Sequence, residues 1–74
     1  MTNREDVSAV YQLISKAGET GANAKQLQSY MPSYVDAEGI ADHMVLFGVA
    51  RIKGDKYIAA GGERELKEVK SVLC

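Results

Sequence analysis

At 74 residues the chain has room for one domain, and at this size a core buries only about 60% of the unfolded surface. Hydrophobic residues make up 46% and charged residues 26%, with nine Lys+Arg against ten Asp+Glu and a formal net charge of −1, a globular rather than a disordered or fibrous composition that excludes any strong whole-molecule field toward nucleic acid. The lone cysteine, Cys74, excludes an internal disulfide framework, no apolar run nears the roughly 20 residues of a membrane span, and the polar opening Met1-Thr2-Asn3-Arg4-Glu5-Asp6 predicts no secretory leader, so a reducing cytoplasm is the expected compartment.

The first predicted helix runs from about Arg4 to Ala17, because Val7, Val10, Tyr11, Ile14 and Ala17 recur at spacings of three and four. Thr2 and Glu5 have the spacing of a capping box, and Gly18 supplies a left-handed stop. A turn over Glu19-Thr20-Gly21-Ala22 leads to Asn23, which caps a second helix of about Ala24 to Met31. Gln26 holds the reciprocal capping position, Leu27, Tyr30 and Met31 form the inner face, and Pro32 closes the helix.

A third helix over about 36–47 is capped by Ser33 or Asp36. Its residues Ala37, Ile40, Ala41, Met44 and Phe47 fall within about 120° of one another. Gly39 costs this helix roughly 1 kcal/mol relative to Ala, and Gly48 ends it. The period then changes. Val49-Ala50-Arg51-Ile52-Lys53 and Lys56-Tyr57-Ile58 alternate around Gly54-Asp55, predicting a hairpin over about 49–60 with a II′-type turn. Val49 and Tyr57, with Ile52 or Ile58, cover one side. Gly61-Gly62 reads as a hinge before a last helix over about 63–73, with Leu66, Val69 and Leu73 in one stripe and Glu63–Lys67 and Arg64–Glu68 paired on its solvent side. The whole predicts one α+β domain over 1–74, mainly helical: a three-helix core, a two-stranded β-hairpin and a C-terminal helix.

Three features carry a family likeness between about Val7 and Ala60: the Val7/Val10/Tyr11/Ile14 stripe, the Ala24-Lys25-Gln26-Leu27 start of a second helix, and the passage from Ile40, Met44 and Phe47-Gly48-Val49 into Arg51-Ile52-Lys53-Gly54-Asp55-Lys56-Tyr57. The chain in these respects resembles the winged-helix family, a helix-turn-helix variant whose hairpin is the wing. Leu46-Phe47-Gly48-Val49 is similar to the step by which the third helix of many members gives way to the first wing strand. The resemblance implies a small DNA-binding transcriptional regulator, with the third helix in the major groove and the wing against the backbone or minor groove. Members of that family often dimerise through added terminal helices, so a homodimer through Leu66, Val69 and Leu73 is one reading of the last stripe. Two turns are short for a coiled coil, and packing of this stripe on the first helix is the favoured reading.

The charges divide the candidate residues into two sets. Arg51, Lys53 and Lys56 in the wing, with Lys25 at the start of the second helix, are the candidate nucleic-acid-binding residues, suited to neutralising phosphates. Gln26, Gln28, Ser29, Ser33 and Tyr34 are uncharged donors beside them. From Gln26 to Ala50, however, the chain holds no Lys or Arg, and the outward arc of the third helix reads as Val35, Glu38, Asp42, Val45 and Leu46. Carboxylates are repelled by phosphates, and base readout prefers Arg, Lys, Asn and Gln. That arc suits a protein partner, so a protein–protein interaction module, as a subunit or inhibitor of a larger nucleic-acid machine, stands beside the DNA-binding reading.

Catalysis finds little to work with. His43 is the only histidine, which leaves no usual zinc set, and adjacent Asp42 and His43 point about 100° apart on a helix. The glycines form no phosphate-cradling loop. Neither an enzyme nor a cofactor or metal is expected.

Overall fold

In the computed structural model, which describes residues 3–74, the Asn3 side chain opens helix α1 (Arg4–Ala17) by accepting the Glu5 amide at 2.7 Å and the Asp6 amide at 3.4 Å. The cap is therefore Asn3; Thr2, predicted for this role, lies outside the described residues. Val7, Val10 and Ile14 are fully buried along one stripe of α1, while Tyr11 and Ala17 pack at the margin. Burial of each large apolar side chain stabilises the fold by about 1.5–3 kcal/mol.

A 3-10 turn at Gly18–Thr20 leads into β1 (Ala22–Asn23), a two-residue strand where the sequence predicts only a turn. Asn23 then caps α2 (Ala24–Ser29) with the expected reciprocal pair: Asn23 Oδ1 accepts the Gln26 amide at 2.7 Å, and Gln26 Oε1 accepts the Asn23 amide at 2.9 Å. The helix stops two residues earlier than predicted. The Tyr30 and Met31 amides turn to the Leu27 and Gln28 carbonyls, and this tightening swings Tyr30 out to 74% exposure.

Helix α3 (Ala37–Leu46) is capped by Asp36, whose carboxylate accepts the Gly39 amide at 3.0 Å. That carboxylate fills the space a Cβ at position 39 would need, which gives the glycine a local purpose. Ala37, Ile40, Ala41 and Met44 are buried as predicted; Phe47, at the end of the helix, is only half-buried.

The hairpin of β2 (Ala50–Lys53) and β3 (Lys56–Ala59) turns at Gly54-Asp55, with Gly54 at φ 66° as a II′ turn requires of its first residue. β3 lies in the middle of a three-stranded antiparallel sheet in the order β1-β3-β2, so the wing is joined to the first half of the chain through Ala22↔Tyr57 and Asn23↔Lys56. Helix α4 (Glu63–Leu73) occupies its predicted span and packs on α1 and α3. Leu66 and Val69 are buried within the chain's own core and Leu73 lies against it, which is the intramolecular packing expected of this stripe.

Gly61 is pinned, not a hinge. Its amide donates to the Val49 carbonyl at 3.0 Å, its carbonyl accepts the Tyr11 hydroxyl at 3.1 Å, and a Cβ there would stand 2.6 Å from the Gly48 carbonyl oxygen. The outcome is an α+β, mainly helical, winged-helix-like layout, extended by one short strand beyond the predicted hairpin.

Candidate functional site

Strand alternation and register sort the wing's side chains onto two faces. Ala22, Tyr57 and Ile52 stand in one row across the sheet, and Ala50 shares their face. Ala22, Ala50 and Tyr57 are buried there, whereas Ile52, farther out along the hairpin, is 56% exposed. Lys56 and Lys53 stand opposite each other one row nearer the turn, and Arg51 faces Ile58 one row nearer the base. All four project from the reverse side. The sheet therefore gathers Arg51, Lys53 and Lys56 around half-buried Ile58 on one outward face, and exposed Lys25 follows Asn23, which closes the same row from β1.

The solvent face of α3 is acidic. Glu38, Asp42 and Leu46 are exposed at successive spacings of four, the repeat that places side chains above one another on a helix, and Leu46 is 78% exposed. Two further members of the predicted arc lie elsewhere. Val35 is buried, because it sits before the Asp36 cap, in a turn where its amide donates to the Pro32 carbonyl, and helical phase does not apply to it. Val45 is half-buried against the core. His43, half-buried beside this stripe, donates from Nδ1 to the Gly39 carbonyl at 2.8 Å, which fixes its ring.

One side chain joins the two regions. The Tyr57 hydroxyl donates to Asp42 Oδ1 at 2.5 Å. Burial pushes this hydroxyl's pKa well above 10, and the hydrogen bond to Asp42 and the negative charges of Asp42 and Glu38 push the same way. Because Tyr57 reaches Asp42 from the inner face of the sheet, the carboxylates of α3 lie on that side and the wing cations on the other.

The uncharged donors are largely committed. Gln26 is held in the α2 capping box, and Ser29 donates to the Gln26 carbonyl at 2.7 Å. Gln28 donates to the Pro32 carbonyl and accepts the Ala37 amide, both at 3.1 Å, and so ties the end of α2 to the start of α3. Sequence reasoning counts Gln28 as a free polar group; its spacing from Ala37 gives no sign of this bridge. Ser33 and Tyr34 remain exposed, Tyr34 at 83%.

Among the described residues no group of three or more His, Cys, Asp or Glu side chains is placed to hold a metal ion, and no helix is long and apolar enough to cross a membrane. Comparison with protein-family models, curated proteins and solved structures finds no match.

Proposed function

We propose that the chain is a non-catalytic, winged-helix protein-docking module that offers the solvent face of α3 to a basic, partly apolar protein surface. One observation carries this reading: Glu38, Asp42 and Leu46 line that face, and the helix bears no Lys or Arg. A phosphate backbone is repelled by such a face, whereas a protein surface built to bind nucleic acid is basic and attracts it. The acids stand where phosphates would, which suits a subunit or inhibitor of a larger nucleic-acid machine. Exposed Cys74 is a free thiol and fits a cytoplasmic setting.

The test is affinity capture from the native cell extract, comparing wild type with Glu38→Lys/Asp42→Lys and with Arg51→Ala/Lys53→Ala. A partner retained by wild type and by the wing variant, and lost by the α3 variant, is the expected result. Equal capture by all three overturns it.

The outward face of the wing favours a second reading, a DNA-binding regulator whose Arg51, Lys53, Lys56 and Lys25 contact phosphates. Such binding would be sequence-tolerant and salt-steep, with log K falling by about 0.9 per log unit of salt for each phosphate neutralised, near three to four in total. Fluorescence anisotropy with a labelled duplex measures that slope, and Arg51→Ala/Lys53→Ala should flatten it by about two. Sequence-selective, salt-tolerant binding would contradict both readings, since it needs base readout from an acidic helix.

A further inference from the structure

We infer that the acidic face of α3 in one copy of this chain binds the cationic outward face of the wing in a second copy, head to tail. This rests on the reading of α3 as a docking face and names its occupant. The two surfaces are complementary in kind. Glu38 and Asp42 lead to exposed Leu46 on one; Arg51, Lys53 and Lys56 surround half-buried Ile58 on the other. Opposite charges set around an apolar contact supply both steering and desolvated area.

The two surfaces cannot satisfy each other within one molecule. Tyr57 reaches Asp42 from the inner face of β3, while its neighbours Lys56 and Ile58 leave the reverse face of the same strand. The acids reached by Tyr57 and the cations of the reverse face thus lie on opposite sides of the sheet. Each copy thus offers one patch of each sign in different directions. A net charge of −1 adds almost no overall repulsion between copies. Because the two patches differ, the contact is heterologous and repeats into an open series or a ring rather than stopping at a two-fold dimer.

Sedimentation velocity of the full chain tests this. In low salt the weight-average coefficient should climb past that of a dimer as concentration rises, and it should return to the monomer value near 0.5 M salt, where the screening length falls to about 4 Å. Glu38→Lys/Asp42→Lys and Arg51→Glu/Lys53→Glu should each lose association by more than about tenfold, because each makes the two patches alike in sign. An equimolar mixture of the two variants should associate again: the new lysines of one meet the new glutamates of the other, and the native patches meet as before. Circular dichroism checks that each variant is folded. Glu38→Lys/Asp42→Asn, which keeps an acceptor for Tyr57, serves if the first does not fold.

A wild-type chain that stays monomeric in low salt overturns the inference, as does a variant that still associates alone or a folded pair that fails to associate when mixed. A monomeric wild type that still captures an extract partner through Glu38 and Asp42 leaves the docking function standing and removes only the second copy as its occupant. Phosphate-bearing DNA competing at the wing without any self-association in its absence also overturns it.

Discussion

The third helix and the wing pack side by side, yet they spend their surfaces in opposite ways. α3 buries one side completely through Ala37, Ile40, Ala41 and Met44 and leaves carboxylates on the other. The wing buries only Ala50 and Tyr57 from its two strands and carries its cations on the reverse. The helix is held by area and the wing by register. A change inside α3 should therefore act on stability, and a change on the outward wing should act on binding alone.

The largest effect expected from breaking this contrast is at Ile40. Ile40→Ala removes a buried side chain and should lower stability by about 2–5 kcal/mol, measured by urea unfolding. Phe47→Ala, at the half-buried end of the same helix, should cost clearly less, and equal losses would mean that the helix end is packed as tightly as its middle. Gly61→Ala comes next, at about 1–3 kcal/mol, because its Cβ meets backbone at the base of the wing and no side chain can move aside. Thermal melting would check it; an unchanged midpoint would show that the loop from the wing into α4 is free to shift.

The smallest stability effect should come from the hydrogen bond by which Tyr57 ties the wing to α3. Tyr57→Phe removes a single hydrogen bond to an exposed acceptor and should cost about 0.5–1.5 kcal/mol near neutral pH. The folded hydroxyl's pKa lies above its unfolded value of 10.0, so the protonated tyrosine is the stabilised form. Its contribution is complete below pH 10 and is lost as pH rises through the folded value. Wild type should therefore lose stability above pH 10 relative to Tyr57→Phe, and the gap between them should narrow. A gap constant through strong alkali would sever Tyr57 from Asp42.

Helical spans and one cap were legible in the sequence because they depend on neighbours. The α1 and α4 stripes, the Asn23/Gln26 box and the two-residue wing turn all follow from spacings of four or fewer. β1 was not legible, since two residues have no periodicity and their partner strand lies far along the chain. Val35 departs from the predicted arc for a related reason: it precedes the Asp36 cap, in backbone that follows a turn, where helical phase does not apply. The charges of both candidate surfaces could be read directly, but their separation onto opposite sides could not. It arises from register, which puts Tyr57 and Lys56 on different faces, and from the reach of one tyrosine to Asp42.

The pairing of Ala22 with Tyr57 also governs the order in which the molecule can be assembled. Helices and the hairpin close short loops and gain their contacts early, whereas β1 must find a strand nearly half the chain away, at a greater cost in chain entropy. Synthesis from the N-terminus presents α1, α2 and α3 before β3 exists. Until the ribosome has released the residues through Ala59, β1 has no strand to clasp. The two residues of β1 are thus one joint between the halves, and the one that can close only after both strands of the wing exist.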